Sequence, residues 1–439
     1  MRNLSFAPLF ALVLASSSLV ACSKKSASED KSSETKDEKK KKDGDKSSSD
    51  DEASKKKKDK PKAQEKSAGD EQGDDGDKAK AGSGCKFPDG DLKADFTVTK
   101  ACKVKIDRGI IVREGAVLTI EPGARLSFGP DGYLEVVYGR LVAKGSDDAP
   151  IVFTSSNKDP AAGDWPGLFF DDKTMNDTVL DKVTVEYAGR DAHGSHGAVT
   201  LEGEVRGGRV AITSSKLRES GSNGVRVEND ASSFAKFEGN SFEKLGDASL
   251  SAPSMVLGSV GKNDWGGFVI RTGGDVTATI TWPAADVPFV LQRALVVRGK
   301  KDAAVLTLAD KSVLKFGPDA YIEVGLENGS GLVAKGCTFT SANATAAPGD
   351  WPGIFFADKT TGSVIDGGTI EYAGRDAHGA HAAITYEGSA KKIVNAKVTG
   401  VTFKKNLSAA FSSDDGDCGA ADDDASANKA DGPLCKKKK

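Results

Sequence analysis

The chain has four histidines, and all of them lie in two near-identical stretches. EYAGRDAHGSHG at 186–197 holds His193 and His196, and EYAGRDAHGAHA at 371–382 holds His378 and His381. An aspartate precedes each pair (Asp191 and Asp376), and an arginine precedes each aspartate (Arg190 and Arg375). One Asp with two His carries the ligand types of a weak divalent-metal site, zinc or copper, with an open position or a further ligand still to be found. On an extended strand, residues three apart face opposite sides, so the rings converge only in a turn. Gly194 and Gly197 favour a turn in the first copy. Gly379 does so in the second, where Ala382 replaces the other glycine. The plain alternative is a polar corner loop between strands VTVEY and AVTL. HEXXH and CXXCH patterns are absent.

Other residues offer chemistry more weakly. GDW at 163–165 and 349–351, with NDW at 263–265, sets Trp165, Trp351 and Trp265 after an aspartate. An exposed tryptophan could stack on a sugar ring. A corner tryptophan would instead cover the end of an apolar column, with the aspartate capping the turn's amides. Glu186 with Asp191, or Glu371 with Asp376, could be paired carboxylates, but nothing in the spacing supports the separation that glycoside hydrolysis requires. The acidic runs at 414–417 and 422–424 lack the full EF-hand pattern and are expected to be solvated loop.

The elements that must position these residues begin after two leader zones. Residues 1–21 have one early arginine and a short apolar run, the layout of a secretory signal peptide. Their end, LVAC at 19–22, resembles the lipobox of bacterial lipoproteins. That resemblance implies a lipidated Cys22, no need for a transmembrane helix and, with Ser23 following, an outer-membrane address. Residues 23–84 contain 18 Lys and 17 Asp plus Glu, with no aromatic residue and no Leu, Ile or Val. Such a segment cannot bury enough apolar surface to order itself, so it is expected to be a disordered tether. It would span roughly 45 Å on average and about 200 Å stretched. The near-balanced tether and the net charge of −3 argue against a nucleic-acid partner. Among the six cysteines, Cys85 with Cys102 and Cys418 with Cys435 are each 17 apart, as suits local disulfides in an exported chain. Cys337 is left over as an expected buried thiol.

The folded part is duplicated. FGPDGYLEV at 128–136 returns as FGPDAYIEV at 316–324, and GDWPGLFF at 163–170 as GDWPGIFF at 349–356. Within each copy, bursts of three to five residues alternate apolar and polar, separated by Gly, Pro or Asp. Leu118 and Ile120 are expected inside with Thr119 outside. The same holds for Leu126 and Phe128 against Arg125 and Ser127, and for Leu134 and Val136 against Glu135. Strands so short do not pair back on themselves, which favours stacked coils over a sandwich or barrel.

IIVREGAVLTIEPGARLSFG, GRLVAKGSDDAPIVFTS, GDWPGLFF and VEYAG together resemble the bacterial right-handed parallel β-helix repeat proteins of cell surfaces. The resemblance implies an all-β solenoid over most of 104–411 and carries no catalytic residue with it. The expected layout is a cap at 85–103, repeat 1 at 104–274, repeat 2 at 275–411, and a second cap with a basic tail at 412–439. Coils of roughly 22 residues would give about 14 coils and some 65 Å. The two histidine stretches would then lie about eight coils, close to 40 Å, apart. The expected function is a surface scaffold for adhesion or for binding polysaccharide or another cell-envelope component, with no required cofactor. The alternative is a polysaccharide lyase or glycoside hydrolase, with Arg190 and Arg375 as first candidates for the proton acceptor.

Overall fold

The computed structural model describes residues 82–88, 90–191, 197–376, 382–387, 396–413 and 427–435. Cys22 and the tether up to residue 81, all four histidines, Cys418 and both C-terminal acidic runs lie outside the described residues.

The fold is a parallel β-helix. Each coil of repeat 1 lays down three short strands, one per face. In the first coils these are Phe96–Val98, Lys103–Ile106 and Ile110–Val112, then Val117–Ile120, Arg125–Phe128 and Leu134–Val136. Each pairs in parallel with the strand on the same face of the next coil: Phe96 with Leu118, Val104 with Leu126, Ile110 with Leu134. Successive parallel connections of this kind are right-handed in nearly every case. The only helix among the described residues is a short 3-10 segment, Ser254–Ser259, and no described helix is long and apolar enough to cross a membrane.

Alternation sets what is buried. Leu118, Leu126, Phe128, Leu134 and Val136 are at most 2% exposed, while Thr119, Ser127 and Glu135 face outward. Because the ladder is in register, inward residues of successive coils stack on one another. A single column runs through Ile110, Leu134, Leu168, Val199, Val225, Leu250, Ile270, Phe289, Leu314, Phe339, Ile370, Phe403 and Ala430. Burying each large member contributes roughly 1.5–3 kcal/mol.

The column crosses the repeat boundary by changing face. In repeat 1 it follows the third strand of each coil, and in repeat 2 the second. The change is made on one strand, Ile270–Val276, whose first residues pair with Phe289 and whose last pair with Leu295, across a register shift at Thr272/Gly274. Phe289–Val297 then carries two rungs on one strand, pairing Leu291 with Phe316 and Leu295 with Ile322. The second face of repeat 1 ends beside this switch, in the lone bridge between Ser241 and Asp264.

Coil length departs from expectation. Steps along the column range from 19 residues (Ile270 to Phe289) to 34 (Leu134 to Leu168). The twelve steps from Ile110 to Ala430 average about 27 and rise roughly 58 Å. Corner loops account for the excess over 22, chiefly residues 156–167 and 342–353, which carry the GDWP motifs. The histidine-bearing corners are therefore seven rungs apart, about 34 Å, rather than eight.

At the N-terminal end, the disulfide Cys85–Cys102 closes the segment that leads into the first coil, and Phe87 packs on Phe96 at 5.3 Å. Cys435 is also disulfide-bonded. Cys337 is a buried free thiol whose S–H lies 3.5 Å from the Lys335 carbonyl, and burial pushes its pKa up. Ile270→Ala, at the rung where the column changes face, is expected to cost about 2–5 kcal/mol in a thermal or denaturant unfolding measurement.

Candidate functional site

The two EYAGRD stretches are locked corners. Tyr187 and Tyr372 take φ of 63° and 62°, a left-handed conformation uncommon outside glycine. The Arg190 amide donates to the Trp165 carbonyl, and the Arg375 amide to the Trp351 carbonyl, both at 3.2 Å. GDWP and AGRD are thus two halves of one corner, which explains why they recur together. Gly167 and Gly353, which follow GDWP, pass so close to the next coil that an added Cβ would sit 2.8 Å from the Ala198 carbonyl oxygen and 2.7 Å from that of Ala383.

The arginines beside the histidine stretches span coils. Arg190 Nη2 donates to the Pro130 carbonyl and pairs with Asp131 at 3.2 Å, and Arg375 pairs with Asp319 at 2.8 Å. Asp191 and Asp376 lie at these corners, next to histidines outside the described residues. Among the described residues, no group of three or more His, Cys, Asp or Glu is disposed to hold a metal ion.

The tryptophans are not stacking platforms. Trp165 and Trp351 are 0% exposed, so the sugar-stacking expectation for them is corrected. Each lies flat on a core phenylalanine, Phe128 at 4.1 Å and Phe316 at 4.0 Å. Each indole N–H donates to a backbone carbonyl, Glu186 or Glu371, at 2.9 Å. The preceding aspartate caps the turn: Asp164 accepts from the Ala161 amide and Ser155 hydroxyl, and Asp350 from Ala347 and Ser341. Trp265 is also fully buried, but its N–H has no partner.

Glu186 is buried and accepts two hydrogen bonds from Arg218, at 2.9 and 2.6 Å, and one from Thr154. Its counterpart Glu371 accepts from Thr340 and pairs in register with Lys404. A second acidic feature lies after the third face of repeat 1. The amides of Asp171, Glu202 and Glu228 donate to Val136, Phe170 and Leu201, so these carboxylates stack on successive coils. Burial, then Glu135, Glu228 and Asp171, push Glu202 up to about 7. Burial, then Asp172, push Asp171 up to about 6.

The most open recess sequence reasoning missed lies at the repeat boundary. Arg226, Ser251, Arg271, Val290 and Lys315 pair rung by rung and form one outward row. Two adjoining hollows of about 360 and 530 Å³ run beside it and share Arg271 and Gln292. Arg293 and Thr272 line the first, and Lys315 and Asn343 the second. Arg226 leans on Glu228 at 3.3 Å, and Arg271 pairs with Asp247 through two nitrogens at 2.8 and 2.6 Å. The row was hidden in the sequence because its cations are 45 and 44 residues apart (226 to 271, 271 to 315), and only the register aligns them.

Two measurements test this geometry. Trp165→Phe should cost about 1 kcal/mol through the lost N–H bond, while Trp265→Phe, which removes an unpaired N–H, should be neutral or stabilising in the same unfolding assay. Glu202 has a folded pKa above its ordinary 4.5, so its protonated form favours the fold. Stability should be fullest below about pH 4.5 and fall as pH rises to about 7, by on the order of 1–2 kcal/mol after screening is discounted. Glu202→Gln should flatten that part of the stability–pH curve.

Residues 90–227, about a third of the chain, match the family model described as pectate-lyase like beta helix domain. No curated protein and no solved structure matches the chain. With its coils joined by parallel ladders through both copies and this match over the first, the chain is a parallel β-helix repeat protein.

Proposed function

We propose that the protein is a non-catalytic envelope scaffold that holds polysaccharide against one side of its β-helix. The observation that carries this reading is the continuous polar recess at the repeat boundary, lined by Arg226, Arg271, Gln292, Arg293, Lys315 and Asn343. These side chains stand on or beside strands fixed by their neighbours above and below, so little ordering is lost when a ligand binds. A linear glycan has the extended form and the hydroxyl groups to follow such a row of donors. The match to a pectate-lyase-like β-helix domain supports a polysaccharide-related fold. In this reading a lipidated Cys22 anchors the chain in the outer membrane, and the tether of residues 23–84 sets the domain away from the lipid surface. No cofactor is required and nucleic acid is not a partner. Weak divalent-metal binding at Asp191 and Asp376, with the neighbouring histidines, would be a separate property.

Binding of the full chain to a panel of envelope polysaccharides tests the reading. The expected result is retention of at least one glycan with its length unchanged. No binding across the panel, or the appearance of new reducing or unsaturated ends, would overturn it.

A further inference from the structure

The polar recess does more than offer donors: its cations alternate. Along the outward row the order is Arg226, Ser251, Arg271, Val290, Lys315. Positive charge falls on every second rung, with a short polar or apolar side chain between. Rungs are about 4.8 Å apart, so the charges repeat at roughly 10 Å. The strands set that period, and side-chain flexibility blurs it only at the tips.

We propose that this row is a binding site for a linear polysaccharide carrying one carboxylate per two-sugar repeat, laid parallel to the β-helix axis. The site rests on the glycan-binding reading above and adds the charge pattern of the ligand. A period near 10 Å is comparable to the length of a disaccharide in an extended chain. It is about twice the spacing that a polymer charged on every sugar would present. Guanidinium groups suit carboxylates because their planar fork offers two parallel N–H donors. Glu228 and Asp247 hold Arg226 and Arg271 from the side, at 3.3 Å and at 2.8 and 2.6 Å. Each guanidinium is partly exposed, at 34% for Arg226 and 28% for Arg271. Arg293 donates to the Gly273 carbonyl at 3.1 Å and lines the same hollow from the corner. Val290, 9% exposed, gives a flat apolar step between Arg271 and Lys315 on which a sugar face can rest. Neither repeat contains this row by itself, because Arg226 belongs to the first and Lys315 to the second. It exists only where the ladder passes from one to the other.

The test measures affinity of the full chain for hyaluronan (one carboxylate per disaccharide), polygalacturonate (one per sugar) and neutral dextran. Hyaluronan should bind most tightly, and its binding should weaken as ionic strength rises. The double variant Arg226→Ser with Lys315→Ser should weaken hyaluronan binding by about tenfold or more, with an unchanged unfolding midpoint. Lys236→Ser, on another face, serves as the control and should change nothing. Ser251→Arg fills an intermediate rung and should shift preference toward polygalacturonate. Equal binding of dextran, equal binding of polygalacturonate by the unaltered chain, or full affinity in the double variant would overturn the proposal while leaving glycan binding intact. Binding of no polysaccharide in the wider panel would instead remove the reading on which it rests.

Discussion

Every feature of this domain depends on one constraint: each strand must hydrogen-bond in register to the strand one coil above and one below. A strand of three residues has almost no stability alone. Stacked in parallel, it satisfies its amides on both sides and puts like side chains over like. The inward column from Ile110 to Ala430 follows directly, since Leu, Ile, Val and Phe sit over one another at every rung. The outward rows follow equally, because the same register fixes them. Coil length is free to vary from 19 to 34 residues along this column because the ladder does not feel the loops.

The corners solve the remaining problem, which is turning the chain without leaving buried polar groups unpaired. The GDWP–AGRD corner does this with an indole that covers the apolar column and gives its N–H to a carbonyl, and with an aspartate that caps the loop's amides. The copies differ where charge is buried. Glu186 needs the Arg218 fork because an unpaired carboxylate there would be strongly destabilising. Glu371 is less enclosed and is served by a threonine hydroxyl. Trp265 shows a corner of the same kind with its hydrogen bond missing, at the point where the second face of repeat 1 ends.

Alternation was legible because it is local: Leu118 and Ile120 are in and Thr119 is out for reasons contained in four residues. The duplication and the stacked-coil architecture were legible for the same reason, since the corner motifs are contiguous. Coil length was not, because the loop at 156–167 gives no sign in sequence that it leaves the ladder undisturbed. Nor was the cationic row. Arg226, Arg271 and Lys315 read singly as ordinary solvent-facing residues, and their alignment is the sum of four separate coil lengths. The tryptophans were ambiguous for a related reason: a GDW turn looks alike whether its ring faces solvent or the core, and only the partner phenylalanines decide.

The switch of face on Ile270–Val276 also governs how the duplicated corners are displayed. The second strand of each repeat-2 coil stands over the third strand of repeat 1. The corner that bears Arg375 and Asp376 therefore lies in line with the edge carrying Asp171, Glu202 and Glu228, and not above its twin at Arg190 and Asp191. Sequence duplication has not produced a two-pronged grip along a single edge. A flat partner can dock on one copy at a time, and anything that engages both must wrap around the axis or arrive as two independent molecules.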